Sequence, residues 1–340
     1  MKKATIHEIA KALGIDSSTV SRALNDSSRV TPKTKNRVLE KAKELGYKPN
    51  LLASNLRRNR SNTIGVVVPR ISRYFFSTII AGIEEIAFKE GYNVVISQSL
   101  EQLEREKKIL NNFVSNRVDG VLISVAWESE EYGHLNNLKN LGIPLVFFDR
   151  HHAALKDYNK VIIDDYKGAC GAVEHLIAKG CKKIAHFAGP QILEIYKKRL
   201  EGYTDALKKN KMEFDANLVA PSHLMKDDGY KIMMELLKKH PDIDGVFSAN
   251  DEAAVGAIKY LKSIDKKVPG DIAIVGFSND PLSEVVEPSL TTIDQFGAEM
   301  GEKGCELLIE KIQHSKDQTM DNKTIVLEPN LIERESSQRK

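Results

Sequence analysis

Residues 5–25 read TIHEIAKALGIDSSTVSRALN, and this stretch predicts two short helices joined by a tight turn. Thr5 can cap the first helix, and Glu8, three residues later, completes a capping box. Gly14 suits the end of that helix because glycine adopts a positive φ at little cost. Asp16 is a good cap for a second helix that follows at once. Such a helix-turn-helix places its second helix in the major groove of DNA.

A third helix is predicted in the stretch TPKTKNRVLEKAKELG. Thr31 is its cap, Pro32 suits its first position and Gly46 suits its end. Apolar residues recur at helical spacing in all three helices, so we expect them to share one small core. The residues expected in that core are Ile6, Ile9, Leu13, Val20, Leu24, Val38, Leu39 and Leu45.

The second helix carries short hydroxyl side chains and one arginine on its outer face. Hydroxyls at the start of such a helix can approach base edges, and Arg22 can contact a guanine or a phosphate. Any single serine here could instead be an ordinary surface hydroxyl. Residues 1–60 carry 14 Lys and Arg against 5 Asp and Glu, whereas residues 61–340 carry 36 against 42. This concentration of positive charge indicates a phosphate-binding module. A disordered basic arm would carry similar charge, but it would not need the helix caps described above.

Composition bounds the class of protein. The chain has 340 residues, 41% of them hydrophobic and 29% charged, which allows several domains with ample cores. No apolar run approaches the roughly 20 residues of a membrane span, and no secretory signal is evident, so we expect a cytoplasmic protein. Cys170, Cys181 and Cys305 form no CxxC pair and indicate free thiols in a reducing compartment.

From Thr63 onward, strands and helices alternate. Apolar strands such as TIGVVVP, VDGVLISV and IPLVFFD predict a parallel sheet covered on both faces by helices. A second set of strands begins at VIIDD and continues through KKIAHFAG, GVFSAN and IAIVGF. Helices of this set are expected over Leu200–Asn210, Gly229–His240 and Ala253–Ile264. The sequence therefore predicts an all-α headpiece followed by two α/β lobes.

The segments ATIHEIAKALGIDSSTVSRALN and RVTPKTKNRVLEKAKELGYKPN resemble the LacI/GalR family of bacterial transcription regulators, and the resemblance continues to near residue 334. It implies a hinge helix at LLASNLRR, which folds when two copies meet on the operator. Leu56 matches a leucine that wedges into the minor groove, and Ala53 matches a small residue that lets two hinge helices pack closely. Composition alone would read this segment as a linker. The other DNA-binding positions implied are Thr5, Ser17, Ser18, Thr19, Ser21 and Arg22.

The resemblance also implies domain boundaries. The headpiece would span residues 1–48, the hinge helix and linker 49–61, and a periplasmic-binding-protein-like effector-binding domain 62–335. Within that α/β domain with parallel sheets, the last helix would return to the first lobe and the final strand to the second. The lobe limits implied are about 62–160 with 291–322 for the first lobe and about 161–290 with 323–335 for the second.

Polar and aromatic side chains follow several of the predicted strands. Ligands of open parallel sheets bind beyond the carboxyl ends of strands, here in the cleft between two sheets. Such groups suit a polyol because each sugar hydroxyl both donates and accepts hydrogen bonds, and two adjacent phenylalanines can sandwich a sugar ring. Each residue alone could instead be a helix cap, an ion-pair partner or core. The candidates are Phe75, Phe76, Asp149, Arg150, Arg199, Asn250, Asp251 and Gln295.

The resemblance sharpens the effector class. All these candidates except Asp251 match positions of a ribose-type sugar site. Ser278, Leu224 and Arg73, however, differ from the residues common at such a site. A sugar or sugar derivative is therefore expected, without support for ribose itself. The purine-binding subgroup fits less well, because Leu193 and Ile195 occupy positions that are polar there.

Catalytic motifs were sought as well. The sequence has no GxSxG, HExxH, P-loop or strand-linked GxGxxG pattern. His151 and His152 could bind a metal, but no third ligand is suggested. No catalytic residue, metal or cofactor is predicted.

The expected protein is a homodimeric repressor that binds palindromic double-stranded operator DNA under the control of a sugar-like effector, away from membranes. An activator, a repressor that needs its effector as corepressor, and a purine sensor remain alternatives. A transport component would need a signal peptide and no headpiece, and an enzyme would need a nucleophile–base pair in the cleft. The tail ESSQRK has no heptad run, which favours a dimer over a coiled-coil tetramer.

Overall fold

The computed structural model describes residues 4–47, 60–128, 132–151, 155, 157–314 and 321–339. The chain divides after Ser61 into two compact units, Met1–Ser61 and Asn62–Lys340. Each unit is described on its own below.

The first unit contains three helices: α1 Ile6–Leu13, α2 Ser17–Leu24 and α3 Pro32–Glu44. The predicted capping box is present, with the Thr5 hydroxyl accepting from the Glu8 amide and the Glu8 carboxylate accepting from the Thr5 amide at 2.8 Å. Gly14 ends α1 with φ 65°. Asp16 is the N-cap residue of α2 as predicted, but its side chain makes no capping hydrogen bond to any described residue. Thr31 caps α3 as predicted.

Most of the predicted headpiece core is confirmed. Ile9, Val20 and Val38 are fully buried, and small residues at helical spacing fill the gaps between them. Leu39 and Leu45, however, are 51% and 40% exposed, which contradicts their placement in the core. Leu39 lies one residue, or about 100° of helix, from the buried stripe. Leu45 is the residue at which α3 ends, and Tyr47 packs against the core in its place.

The second unit contains twelve strands and nine helices within its described residues. The strands are β1 Thr63–Val68, β2 Asn93–Gln98, β3 Gly120–Ile123, β4 Leu145–Phe148, β5 Asn159–Ile163, β6 Ile184–Ala188, β7 Val219–Pro221, β8 Gly245–Ser248, β9 Ala273–Val275, β10 Thr292–Asp294, β11 Thr324–Leu327 and β12 Asn330–Ile332. The helices are α4 Tyr74–Lys89, α5 Leu103–Ser115, α6 Gly133–Asn140, α7 Asp165–Ala178, α8 Glu194–Lys209, α9 Lys226–Lys239, α10 Asp251–Ser263, α11 Leu282–Val285 and α12 Gly297–Gln313. Short 3₁₀ turns lie at Ala216–Leu218 and Glu335–Ser337.

The first lobe is built on a six-stranded parallel sheet of order β11-β5-β4-β3-β1-β2. One buried cluster lies between this sheet and helices α4 and α12, and another lies on the opposite face against α5 and α6. Helices α4 and α12 pack so closely that a Cβ on Gly82 would lie 2.1 Å from the Ala298 carbonyl oxygen. The last helix thus returns to the first lobe as predicted. Strand β2 lies at the sheet edge, where Val95 and Ile96 are 44% and 39% exposed rather than covered.

The second lobe is built on a four-stranded parallel sheet of order β7-β6-β8-β9, together with an antiparallel pair of β10 and β12. Its three predicted helices are present, and each begins two to six residues earlier than expected. Strand β7 is short, partly exposed and was not predicted. Within the described residues, no helix is long and apolar enough to span a bilayer.

The predicted lobe limits need one correction. Strand β5 pairs with β4 through Val161, and β11 pairs with β5 through Leu327, so both strands belong to the first sheet. The chain therefore crosses to the second lobe after Ile163 and after Leu327 instead of near residues 160 and 323. A buried apolar strand looks the same in either sheet, and only its hydrogen-bonded neighbours assign it to a lobe.

Candidate functional site

The outer face of α2 carries the predicted DNA-binding side chains. Ser18 and Arg22 are exposed, while Val20 and Ala23 are buried beneath them. Ser17 is partly covered, and its hydroxyl lies 2.9 Å from the Nδ1 atom of His7 on α1. The hydroxyls and the guanidinium group therefore share one accessible surface, which is the geometry that base contacts require.

The other five predicted positions are not part of this exposed group. Thr19 and Ser21 are partly buried on α2. Thr5 uses its hydroxyl in the capping box, which leaves it a role in fixing the start of α1. Ala53 and Leu56 lie outside the described residues.

A cavity lies between the two lobes, at the carboxyl ends of their strands. It measures about 70 Å³, several times the roughly 10–15 Å³ that one water molecule needs. Seven of the eight predicted effector-binding residues line it: Phe75, Phe76, Asp149, Arg150, Arg199, Asn250 and Gln295. The cavity is polar and holds charges of both signs, which suits a small hydroxylated ligand.

The first-lobe wall of the cavity centres on Arg150, which directly follows Asp149 at the end of β4. The Nη1 atom of Arg150 donates to both carboxylate oxygens of Glu101, at 3.0 and 2.9 Å. Its guanidinium carbon lies 5.7 Å from the centre of the Phe76 ring. Its Nε atom is buried and has no hydrogen-bond partner among the described residues. A buried N–H without a partner is costly, so this donor is suited to a ligand oxygen.

Asp149 is the other polar group of this wall. Its φ of 56° lies in the left-handed region, which aspartate and asparagine adopt more readily than most residues. The Ser124 hydroxyl donates to its Oδ2 atom at 3.4 Å. Burial raises the pKa of Asp149, against the opposing effects of Arg150 and Arg199. Its carboxylate oxygens can accept hydrogen bonds from sugar hydroxyls.

The second-lobe wall centres on Arg199 of α8, each of whose three guanidinium nitrogens contacts a protein acceptor. Its Nε and Nη2 atoms contact the Asp165 carboxylate at 2.8 and 2.7 Å, and its Nη1 atom donates to the Ala249 carbonyl at 2.7 Å. Nη2 also donates to the Gln295 carbonyl oxygen at 3.1 Å. The guanidinium lies 3.7 Å above the Phe277 ring, which makes this arginine part of the wall's framework.

Asn250 and Asp251, which follow β8, have different hydrogen-bond partners. The Asn250 carbonyl oxygen caps α10 by accepting from Ala253, and its amide donates to the Leu224 carbonyl at 2.9 Å. Asp251, also predicted to contact the effector, does not line the cavity. Its buried carboxylate accepts from the Thr292 hydroxyl at 2.6 Å and the Asp280 amide at 2.8 Å. This set of contacts ties the strand ends of the second lobe together.

The two phenylalanines do not form a sandwich. The rings of Phe75 and Phe76 are 5.6 Å apart and inclined at 51°, so they contact each other and leave no room for a sugar ring between them. Both line the same end of the cavity and can offer an apolar surface to one face of a ligand.

Sequence reasoning missed several lining residues, chiefly Glu101, Trp127, Tyr196 and His223. Three of them follow strands β2, β3 and β7, so the rule that ligands bind at the carboxyl ends of strands could have found them. Leu224, which departs from the ribose-type pattern, is fully buried, and the neighbouring His223 lines the cavity instead.

Comparison with known proteins places the chain in a family. Residues 5–50 match the family model described as bacterial regulatory proteins, lacI family, and residues 173–337 match a periplasmic binding protein-like domain. The ribose operon repressor of Halalkalibacterium halodurans is 34% identical over 310 residues, which cover 91% of this chain and 90% of that protein. The chain therefore belongs to the lacI family of bacterial regulatory proteins.

Solved structures agree over the whole chain. The lac repressor dimer bound to operator and the anti-inducer ONPF superposes with a TM-score of 0.86 at 27% identity, covering 99% of both chains. A complex of the transcriptional regulator CelR with cellobiose superposes with a TM-score of 0.75 at 30% identity, covering 98% of this chain and 100% of the other. These relatives are regulators, and they share both the headpiece and the two-lobed domain.

Proposed function

We propose that this protein is a cytoplasmic transcriptional repressor that binds a palindromic operator as a homodimer and releases or grips it according to a bound sugar. The observation that carries the proposal is the presence of two sites in one chain. One is the polar outer face of α2 on a basic headpiece, and the other is a polar cavity between two lobes. Allosteric control requires a ligand that binds one arrangement of the two lobes more tightly than another. A sugar that contacts both lobes in this cavity would meet that requirement.

DNA binding is tested by selecting double-stranded sequences from a random pool with the full-length protein. We expect a palindrome to be enriched, because a twofold dimer reads two equivalent half-sites. Replacing the exposed Arg22 by alanine should cost about 1–3 kcal/mol of binding and relax the preference at one position of each half-site. The control is Lys238→Ala, an exposed cation at the end of α9 in the second unit. Equal affinity of the Arg22→Ala variant and wild type would argue against α2 as the reading helix.

Sugar binding is tested by thermal shift against a panel of monosaccharides, disaccharides and purines, since a ligand of the folded state raises the melting temperature. We expect a hit among single-ring sugars, because the cavity is small and polar. Asp149→Asn should abolish the shift, since asparagine tolerates the same φ but has no carboxyl group. Asp242→Asn, an exposed aspartate paired with Lys183, is the matched control. A thermal shift with purines only would show that the effector is a nucleobase and not a sugar.

The sign of regulation is tested in a reporter strain carrying the selected palindrome near a promoter. Repression relieved by the sugar is the expected result. Reporter expression that rises with the protein, or falls only when sugar is present, would establish the activator or corepressor alternative. We infer a regulatory and not a catalytic role for the cavity. This inference is supported by the solved relatives of similar fold, which include a transcriptional regulator in complex with cellobiose.

A further inference from the structure

Two rings meet across the mouth of the cavity. Trp127 follows β3 in the first lobe, and His223 follows β7 in the second. Their ring centres are 4.5 Å apart and their planes are inclined at 26°, which is a stacked arrangement. Trp127 also packs against the hydrophobic cluster of the second lobe. A first-lobe side chain thus reaches over to the opposite lobe at a point where both rings line the cavity.

The backbone that carries Trp127 is held by two buried carboxylates. The Trp127 amide donates to Glu101 at 3.2 Å, and the Ala126 amide donates to Glu106 at 2.8 Å. Glu101 is also the partner of Arg150, so one carboxylate joins the cavity arginine to the tryptophan. The position of Trp127 is therefore tied to the group that we expect to contact the effector.

A second contact crosses between the lobes at Arg73, which precedes α4. Its Nη1 atom lies 2.5 Å from the Glu252 carboxylate, and its Nη2 atom lies 2.9 Å from the Met225 sulfur. Glu252 is in the first turn of α10, and Met225 precedes α9. Arg73, Trp127 and His223 all line the cavity. Their contacts between the lobes therefore limit the size of the space left for a ligand.

We propose that Trp127 and His223 form an aromatic clasp that closes the cavity over a single sugar ring and excludes longer sugars. The proposal rests on the proposed function in that the cavity is taken to bind a sugar. A second ring attached to the first would have to pass between two aromatic planes that are in contact. Binding a disaccharide would therefore require the clasp to open and would forgo the stacking interaction.

The clasp has a built-in reporter, because Trp127 is the only tryptophan among the 340 residues. Its fluorescence and its quenching by acrylamide therefore report on the surroundings of this one residue, which include His223. In the full-length protein without ligand, His223→Ala should increase the quenching constant by about twofold and change the emission maximum, because one face of the indole loses its cover. His223→Phe should restore protection, since a ring is present again. His240→Ala, a histidine at the far end of α9, should behave as wild type.

Ligand arms then test the size limit with D-ribose and cellobiose as probes. His223→Ala removes one stacking partner and should weaken the binding of D-ribose roughly two- to tenfold. The ratio of cellobiose affinity to D-ribose affinity should therefore rise in this variant. A cellobiose-to-ribose preference that is the same in wild type and His223→Ala would overturn the size limit. Equal quenching constants and emission maxima in wild type, His223→Ala and His223→Phe would overturn the clasp itself.

Failure of the proposed function looks different from failure of the clasp. If neither sugar binds wild type or any variant, the sugar-sensing role fails, and the proposed size limit fails with it. The quenching series without ligand still decides whether the two rings stack across the lobes.

Discussion

The two walls of the cavity each present an arginine paired with a buried carboxylate, yet the two arginines differ in what they leave free. Arg199 in the second lobe directs its donors to Asp165, Ala249 and Gln295, and lies flat on an aromatic ring. Arg150 in the first lobe binds Glu101, and its buried Nε atom lies 3.8 Å from Asp149 without a hydrogen-bond partner in the described residues. The second-lobe arginine therefore builds the wall, and the first-lobe arginine is the one available to a ligand.

The largest expected effect comes from removing the framework arginine. Arg199→Ala leaves the buried Asp165 carboxylate without its cation, so we expect a loss of about 3–5 kcal/mol in the free energy of unfolding of the effector domain. Burial raises the pKa of Asp165 to about 7 even beside Arg199, so the variant should be least stable above neutral pH. Urea unfolding followed by circular dichroism measures the change.

The adjacent Lys198 provides a matched control for this experiment. It forms an exposed pair with Glu201, so Lys198→Ala should cost less than about 1 kcal/mol. Similar losses for the two variants would mean that Arg199 is not part of the framework.

The second-lobe wall has a further carboxyl group with a structural role, and pH should reveal it. Burial raises the pKa of Asp251 to about 7, against hydrogen bonds from Thr292 and Asp280 that lower it. Between about pH 4 and pH 7 the folded state holds a proton that the unfolded chain has released, so this group's stabilisation is lost as pH rises. We expect a slope of at most about 1.4 kcal/mol per pH unit from this group, and Asp251→Asn should remove it.

Unfolding midpoints of wild type and Asp251→Asn measured at pH 4.5–8 test the slope, with Asp242→Asn as an exposed aspartate control. Parallel pH profiles for all three proteins would show that Asp251 keeps an ordinary pKa.

Exchanging arginine for lysine at both positions sharpens the comparison between the walls. Lysine keeps the charge but not the fork of donors. Arg199→Lys should cost about 1.5–3 kcal/mol through lost charged hydrogen bonds, whereas Arg150→Lys should cost less because it makes fewer of them. Sugar affinity measured by calorimetry should show the reverse order, with the larger loss at Arg150. Equal effects of the two exchanges on both readouts would erase the distinction between the walls.

The smallest effect is expected at the α10 cap. Asn250→Ser keeps a capping oxygen and removes the donor to the Leu224 carbonyl, so the change should stay near 1 kcal/mol. Asn250→Ala removes both contacts and should cost more. Thermal unfolding of the two variants distinguishes a cap from a direct ligand contact, because a cap variant retains the sugar-induced shift.

Local signals in the sequence predicted local structure well. The caps Thr5 and Thr31 and the stop at Gly14 predicted both ends of α1 and the start of α3 to within a residue or two. The rule for strand ends placed seven of eight candidates around one cavity. Strand β5 was assigned to the wrong lobe, because an apolar strand does not reveal its neighbours before the sheet is known.

The finer features of the site were not predictable for a related reason. Asn250 and Asp251 both follow β8, and only the geometry of the α10 cap decides which of them faces the cavity. The pairing of Trp127 with His223 joins residues 96 positions apart on different lobes, and neither residue belongs to a motif. Such contacts depend on tertiary packing, which single-sequence patterns do not contain.

The most direct test of sugar-controlled DNA binding is a reciprocity measurement on the full-length protein. Fluorescence anisotropy gives the affinity for the selected palindrome with and without a saturating concentration of the sugar that raises the melting temperature. The affinity should change at least about fivefold, and the sugar affinity should change by the same factor when the palindrome is present. Unchanged DNA affinity together with unchanged sugar affinity would contradict the coupling of the two sites.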